Sequence, residues 1–161
     1  MRHFATLVLL SCIGLLGGCA NPNSLIVGQS TLADVQTRLG TATETRVDSN
    51  GDKIWDYATG PEGIETYRVR IGADGKVKEV TQLLTEDRFA RIVPGTMAKA
   101  DVKELLGPAS DETNYGAGLT WSWRFKKFGV MPGYMVVSFN PDGTVRDKIV
   151  MIDPSGDSPE N

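Results

Sequence analysis

Histidine and cysteine are nearly missing from this 161-residue chain: His3, Cys12 and Cys19 are the whole supply, and nothing beyond position 19 carries either side chain. The rest of the chain therefore cannot offer a histidine base, a cysteine nucleophile, a Cys/His zinc site or an internal disulfide. Motifs of other chemistries are missing too. There is no Gly-x-Ser-x-Gly, no Ser-x-x-Lys and no phosphate loop, and the carboxylates fall mostly in turns or on helix faces, so the expectation is a protein that is not an enzyme and needs no cofactor or metal. A basic excess is lacking: 17 Lys and Arg stand against 20 Asp and Glu, net −3, which argues against a nucleic-acid partner. The longest apolar run, Phe4 to Leu16, has 13 residues, where a bilayer span needs about 20. With 40% apolar and 23% charged residues, the composition suits one globular domain or two small ones and excludes a collagen-like or disordered chain.

What is present begins with that run. Positive Met1-Arg2-His3 followed by 13 apolar or small residues fits the core of a secretory signal. It ends in Leu16-Gly17-Gly18-Cys19, which resembles the lipobox of bacterial lipoproteins; an ordinary signal cut at small residues is the competing reading. The resemblance implies a signal peptide over 1–18, lipid on Cys19, and a lipidated tether over 19–27. Ala20 stands where an Asp often retains such proteins in the inner membrane, so it points to the outer membrane. The chain from Cys19 onward would have 143 residues and a charge of −4.

A repeat decides the organisation. Gly28 to Ala42 aligns with Gly95 to Ala109, with seven of fifteen positions identical. Trp55-Asp56-Tyr57 matches Trp121-Ser122-Trp123, and Val69 to Val77 matches Val137 to Val145. Each unit opens with a short helix. Leu32, Val35 and Leu39 share one face, as do Val102, Leu105 and Leu106. Ser30 or Thr31 is expected to cap the first helix and Thr96 the second. Gly40 and Gly107 are expected to end them in a left-handed conformation. Helices this short must lean on a sheet. A lead-in, Glu86 to Val93, precedes the second helix with Phe89, Ile92 and Val93 on one side.

Strands follow. Asn50-Gly51 predicts a hairpin between 43–49 and 53–59. Asp74-Gly75 and Asp142-Gly143 predict turns joining 64–72 to 76–83 and 134–140 to 144–152. Asp48 to Asp52 faintly resembles a calcium loop but has Lys53 where that loop needs glycine, so a plain turn is expected. The tail, 154–161, has no apolar anchor.

A Gly, a hydroxyl residue, then Val and Leu-Gly at helical spacing, followed by an aromatic strand and an Asp-Gly hairpin, resembles the SmpA/OmlA (BamE-like) family of small outer-membrane lipoproteins of the β-barrel assembly machinery. The motif positions are Gly28, Ser30, Val35, Leu39 and Gly40, then Gly95, Val102, Leu106, Gly107 and Pro108. The resemblance covers 28–83 once and 84–153 again. It implies an α+β fold of two tandem helix-plus-antiparallel-sheet units packed into one two-layer body. It also implies a periplasm-facing, lipid-anchored module that binds envelope proteins, among them assembly-machinery subunits. Two departures stand out: the family usually carries one unit, and the second unit reads Gly95-Thr96-Met97, its hydroxyl one place early. The tandem layout is also similar to the secreted β-lactamase inhibitory proteins, which grip an enzyme with a concave sheet, so an inhibitor or sensor of a periplasmic enzyme is the alternative. Those relatives are stapled by disulfides, and this chain cannot be.

Strand alternation predicts the faces. Trp121, Trp123 and Phe125 go with Met135, Val137 and Phe139, and Trp55, Tyr57, Tyr67, Val69 and Ile71 likewise look inward; core under the helices is one reading and a recognition stripe the other. The opposite faces carry Ser122, Arg124, Lys126, Tyr134, Val136 and Ser138 in one unit and Asp56, Arg68 and Arg70 in the other, with Arg146 and Lys148 as extensions. Arg68, Arg70, Arg124, Lys126, Tyr134 and Val136 are the candidate partner-binding residues. Together they would form one continuous basic surface for an acidic protein or anionic lipid, or else only a solvated sheet face.

Overall fold

The computed structural model describes residues 22–59, 64–114, 116, 118–129 and 131–153. The expected signal peptide, Cys19 and the tail lie outside the described residues. The described residues are α+β, with two four-stranded antiparallel sheets and three short α-helices. A 3-10 turn at Pro22–Ser24 precedes α1 (Leu32–Leu39), followed by β1 (Glu44–Val47), β2 (Lys53–Ala58), β3 (Thr66–Ile71) and β4 (Val77–Gln82). Then come α2 (Glu86–Ala90), α3 (Lys99–Leu106), β5 (Asp111–Asn114), β6 (Leu119–Lys127), β7 (Met131–Phe139) and β8 (Val145–Ile152). Each sheet is a meander in sequence order.

The two long helices form for the same reasons and start differently. Thr31 caps α1: its hydroxyl accepts from Asp34 N–H at 3.3 Å, and the Asp34 carboxylate accepts from Thr31 N–H at 2.8 Å. Hydrogen bonds from Thr31 hold the Asp34 carboxyl below the usual carboxylate range. Helix α3 is not capped by Thr96, because the N-cap position falls on Ala98, which has no acceptor; only Asp101 answers, accepting from Ala98 N–H at 2.8 Å. Gly40 and Gly107 end the helices at φ +74° and +75° with ψ −145° and −166°. That is a glycine-only region beyond the left-handed helical well that the sequence suggested.

Val35 and Leu39 of α1 bury against Tyr57, Val69, Ile71 and Val77 of sheet 1. Val102, Leu105 and Leu106 of α3 bury against Trp121, Trp123 and Phe125 of sheet 2, joined by Phe89 and Ile92 of the lead-in. The aromatic pairs are therefore core. Trp123 is fully buried, and its indole N–H donates to Pro108 C=O at 3.0 Å. Val93, expected beside Phe89 and Ile92, is half exposed instead, because α2 ends at Ala90. Main-chain bonds tie each pre-helix segment to its last hairpin: Gly28 N–H donates to Val77 C=O, and Gly95 N–H to Val145 C=O, both at 2.8 Å.

The repeats are stacked, with α3 between the sheets. Its inner side faces sheet 2. Its other side meets sheet 1, where Arg68 donates to the Glu104 main-chain carbonyl at 2.6 Å and to its carboxylate at 2.9 Å. Lys103 pairs with Glu44 at 2.6 Å, and Arg88 donates to Leu105 C=O at 3.1 Å. The space a Cβ would take on Gly107 lies 3.0 Å from Thr66 and 3.1 Å from Leu83, so a glycine there lets the helix end approach the sheet. No described helix is long and apolar enough to cross a membrane.

Candidate functional site

Register puts the two sheets in direct correspondence. On the second face of sheet 1, one row across the strands runs Glu44, Asp56, Arg68, Thr81. The same row of sheet 2 runs Asp111, Ser122, Val136, Ile149. The next row is Ala58 and Thr66 in sheet 1, and Arg124, Tyr134 and Met151 in sheet 2. One face is covered, the other open.

In sheet 1 the row is ionic and closed. Asp56 and Arg68 are 1% and 8% exposed. Arg68 Nε and Nη2 donate to the two Asp56 carboxylate oxygens at 2.7 and 2.8 Å, and Arg46 adds a third bond to Asp56 at 3.1 Å. Burial alone would lower the Arg68 pKa; the Asp56 and Glu104 carboxylates outweigh it, so the net shift is upward. This correction bears on the expected basic surface. Arg68 is spent in the seam between units, and Arg70 is held by Asp48, so neither presents free charge beside Arg124 and Lys126. The face was expected to be outward because alternation reveals which residues share a side, and nothing in it says that a distant helix covers that side.

In sheet 2 the row is uncharged in its middle and open. Ile149 and Met151 are 50% and 45% exposed, and Val136, Tyr134, Ser122 and Ser138 are half-buried. Arg124 stacks on Tyr134, 5.6 Å from its ring centre, and donates to Asp153 at 3.4 Å; Lys126 is exposed. The open face is thus an apolar strip with two cations on it, Arg124 partly neutralised and Lys126, and two exposed carboxylates, Asp111 and Asp147, in its other rows. Lys148 does not extend it. Its side chain turns to the helix side and donates to the carbonyls of Phe89, Ala90 and Ile92 at 2.9, 3.0 and 2.7 Å.

Of the six partner-binding candidates, four share this face and two do not. Ile149 and Met151 belong to it and were not among them. The run Lys148-Ile149-Val150-Met151-Ile152 does not alternate, so it assigns no face; only pairing with β7 does. The motif residues Gly28, Ser30, Val35, Leu39, Gly40, Gly95, Val102, Leu106 and Gly107 all sit in the helices, at their ends or in the segments that lead into them, and build structure. Buried Ser30, for example, accepts from Ile26 N–H at 2.9 Å, and Met97 holds the matching place by accepting from Val93 N–H through sulfur at 3.3 Å.

A cleft of about 540 Å³ lies between sheet 1 and the α2–α3 region, lined by Arg68, Arg70, Arg88 and Arg91 together with Glu79, Asp101 and Glu104. Burial and the nearby charges of Arg68 and Arg91 lower the Arg88 pKa. Its charges are mixed and close to balanced, so it selects no ligand sign. No group of ligating side chains that could hold a metal is found among the described residues.

No family model and no curated protein matches this chain. Among solved structures it is similar to the crystal structure of a DUF4309 family protein (YjgB) from Bacillus subtilis, at 15% identity and a TM-score of 0.29, over 80% of this chain and 82% of that one.

Proposed function

We propose that this protein is a lipid-anchored, periplasm-facing binding module of the SmpA/OmlA type, with two BamE-like helix-plus-sheet units, held at the outer membrane through Cys19. It supports outer-membrane protein assembly or envelope integrity by docking envelope proteins, with assembly-machinery subunits the first candidates. Two or three acyl chains suffice to anchor a domain of this size, since each buried methylene contributes about 0.8 kcal/mol.

One observation carries the docking role: the face of sheet 2 is uncharged and open at Val136, Ile149 and Met151, whereas its counterpart in sheet 1 is closed by α3. Exposed contiguous apolar surface rimmed by polar groups marks an interaction site. The anionic-lipid role loses its support, because the four cations that would have formed one patch lie on separate faces.

A photo-crosslinking residue at Val136 of the full-length protein in living cells tests this. The proposal expects ultraviolet-dependent adducts with envelope proteins, absent when the same residue replaces Arg68 in the seam. If Val136 gives no adduct at all, the docking role is contradicted.

A further inference from the structure

We infer that the open face of sheet 2 receives helix α1 of a second copy of this chain, head to tail. The inference rests on the reading of that face as a docking surface and names its occupant. Its warrant is inside the molecule. Sheet 1 shows what such a face holds: a helix of the next unit, α3, set by Glu104 on Arg68 and by the bare Gly107 close to Thr66 and Leu83. Sheet 2 offers the same seat with different chemistry. Val136 stands where Arg68 does, Ser122 where Asp56 does, Tyr134 where Thr66 does and Met151 where Leu83 does. The Asp56–Arg68 ion pair of the first seat is gone, while at the edge Asp111 keeps the acid that Glu44 supplies there.

Helix α1 has changed in step. By the repeat alignment Thr37 stands at the place of Glu104, Gln36 at that of Lys103 and Gly40 at that of Gly107. These residues and Ala33 are exposed, and Gly40 has nothing within 4 Å of the place its Cβ would take. The Thr37 hydroxyl is already bonded to Ala33 C=O at 2.9 Å, so the side chain is free to offer its methyl. The charged helix face thus sits on the charged seat, and an uncharged helix face is left over to match an uncharged seat. Burying either uncharged surface against a lone Glu or Arg would cost desolvation without a partner, which makes the two pairings selective. The contact is heterologous, since it joins two different surfaces, so it can propagate beyond a dimer.

The test uses the detergent-solubilised full-length chain and measures its mass by light scattering against concentration. Wild type is expected to grow beyond the monomer. Val136→Arg alone and Thr37→Glu alone should each weaken association about ten-fold or more. Combining them in one chain should recover most of it by recreating the pair that joins α3 to sheet 1. Mixing the two single variants should also restore growth, by alternation, because helix α1 of each chain then meets the face it matches on the other. A wild type that stays monomeric throughout, or a Val136→Arg chain that associates like wild type, overturns the inference. In the first case, envelope adducts from Val136 in cells would leave the docking role standing with another occupant.

Discussion

Tyr57 is the clearest place where a single side chain sets a measurable property. Burial pushes its phenol up to about 12, and its hydroxyl has no hydrogen-bond partner among the described residues. The folded pKa lies above the unfolded value near 10, so the folded state favours the neutral phenol. The stability this contributes is complete below pH 10 and is lost as pH climbs toward 12. Tyr57→Phe should match or exceed wild-type stability at pH 7, since no bond is lost. In denaturant titrations it should lose less than wild type between pH 10 and 12; equal losses would contradict the assignment. Arg68 gives the opposite case. Arg68→Met should cost about 3–5 kcal/mol, because the nearly sealed Asp56 carboxylate then keeps, among the described residues, only Arg46 as an ionic partner. A urea midpoint unchanged from wild type would place Arg68 outside the seam. The sequence marks Arg68 and Arg124 alike as outward, alternating cations, and their difference comes from Glu104, 36 positions from Arg68; no local pattern carries it.

Among the elements, the long helices and the hairpins were legible because their signals are local. Val35, Leu39 and Gly40 recur as Val102, Leu106 and Gly107, and helix α1 runs from its Thr31 cap to Gly40 as the spacing requires. Two features escaped. Strand β5, Asp111–Asn114, is polar throughout, so it has no alternation to read and exists because β6 offers it an edge. The cap of α3 was misplaced because Thr96 is the nearest hydroxyl, while the helix entry is fixed by the Ala98–Thr144 bridge. That mismatch leaves room for improvement. Ala98→Ser should stabilise the fold by about 0.5–1 kcal/mol by supplying the missing acceptor, and Thr31→Ala should cost about 1 kcal/mol. Thermal melts showing no gain from Ala98→Ser would mean that the Asp101 bond already satisfies the helix start.

At the scale of the whole molecule, the described residues alternate helix and sheet, with α3 packed between the two sheets. The hydrophobic clusters, Val35 to Val77 under α1 and Leu84 to Val145 around α3, hold each layer, and the Arg68–Asp56–Glu104 network joins them. The repeat places the order of helix and strands twice along the chain, and two four-stranded sheets follow it. It could not disclose that packing consumes one sheet face and spares the other, since that depends on which side of sheet 1 receives α3. The open face at Val136, Ile149 and Met151 is what remains for a partner. The double variant Val136→Asp with Ile149→Asp tests this most directly, with melting temperature and in-cell crosslinking from a probe at Tyr134 read on the same protein. The account predicts a melting temperature lowered by only several degrees, the cost of two facing aspartates in place of β-branched residues on an open sheet face, together with loss of the adducts. Adducts that persist unchanged, or a melt that collapses with them, would show that this face is not where the protein docks.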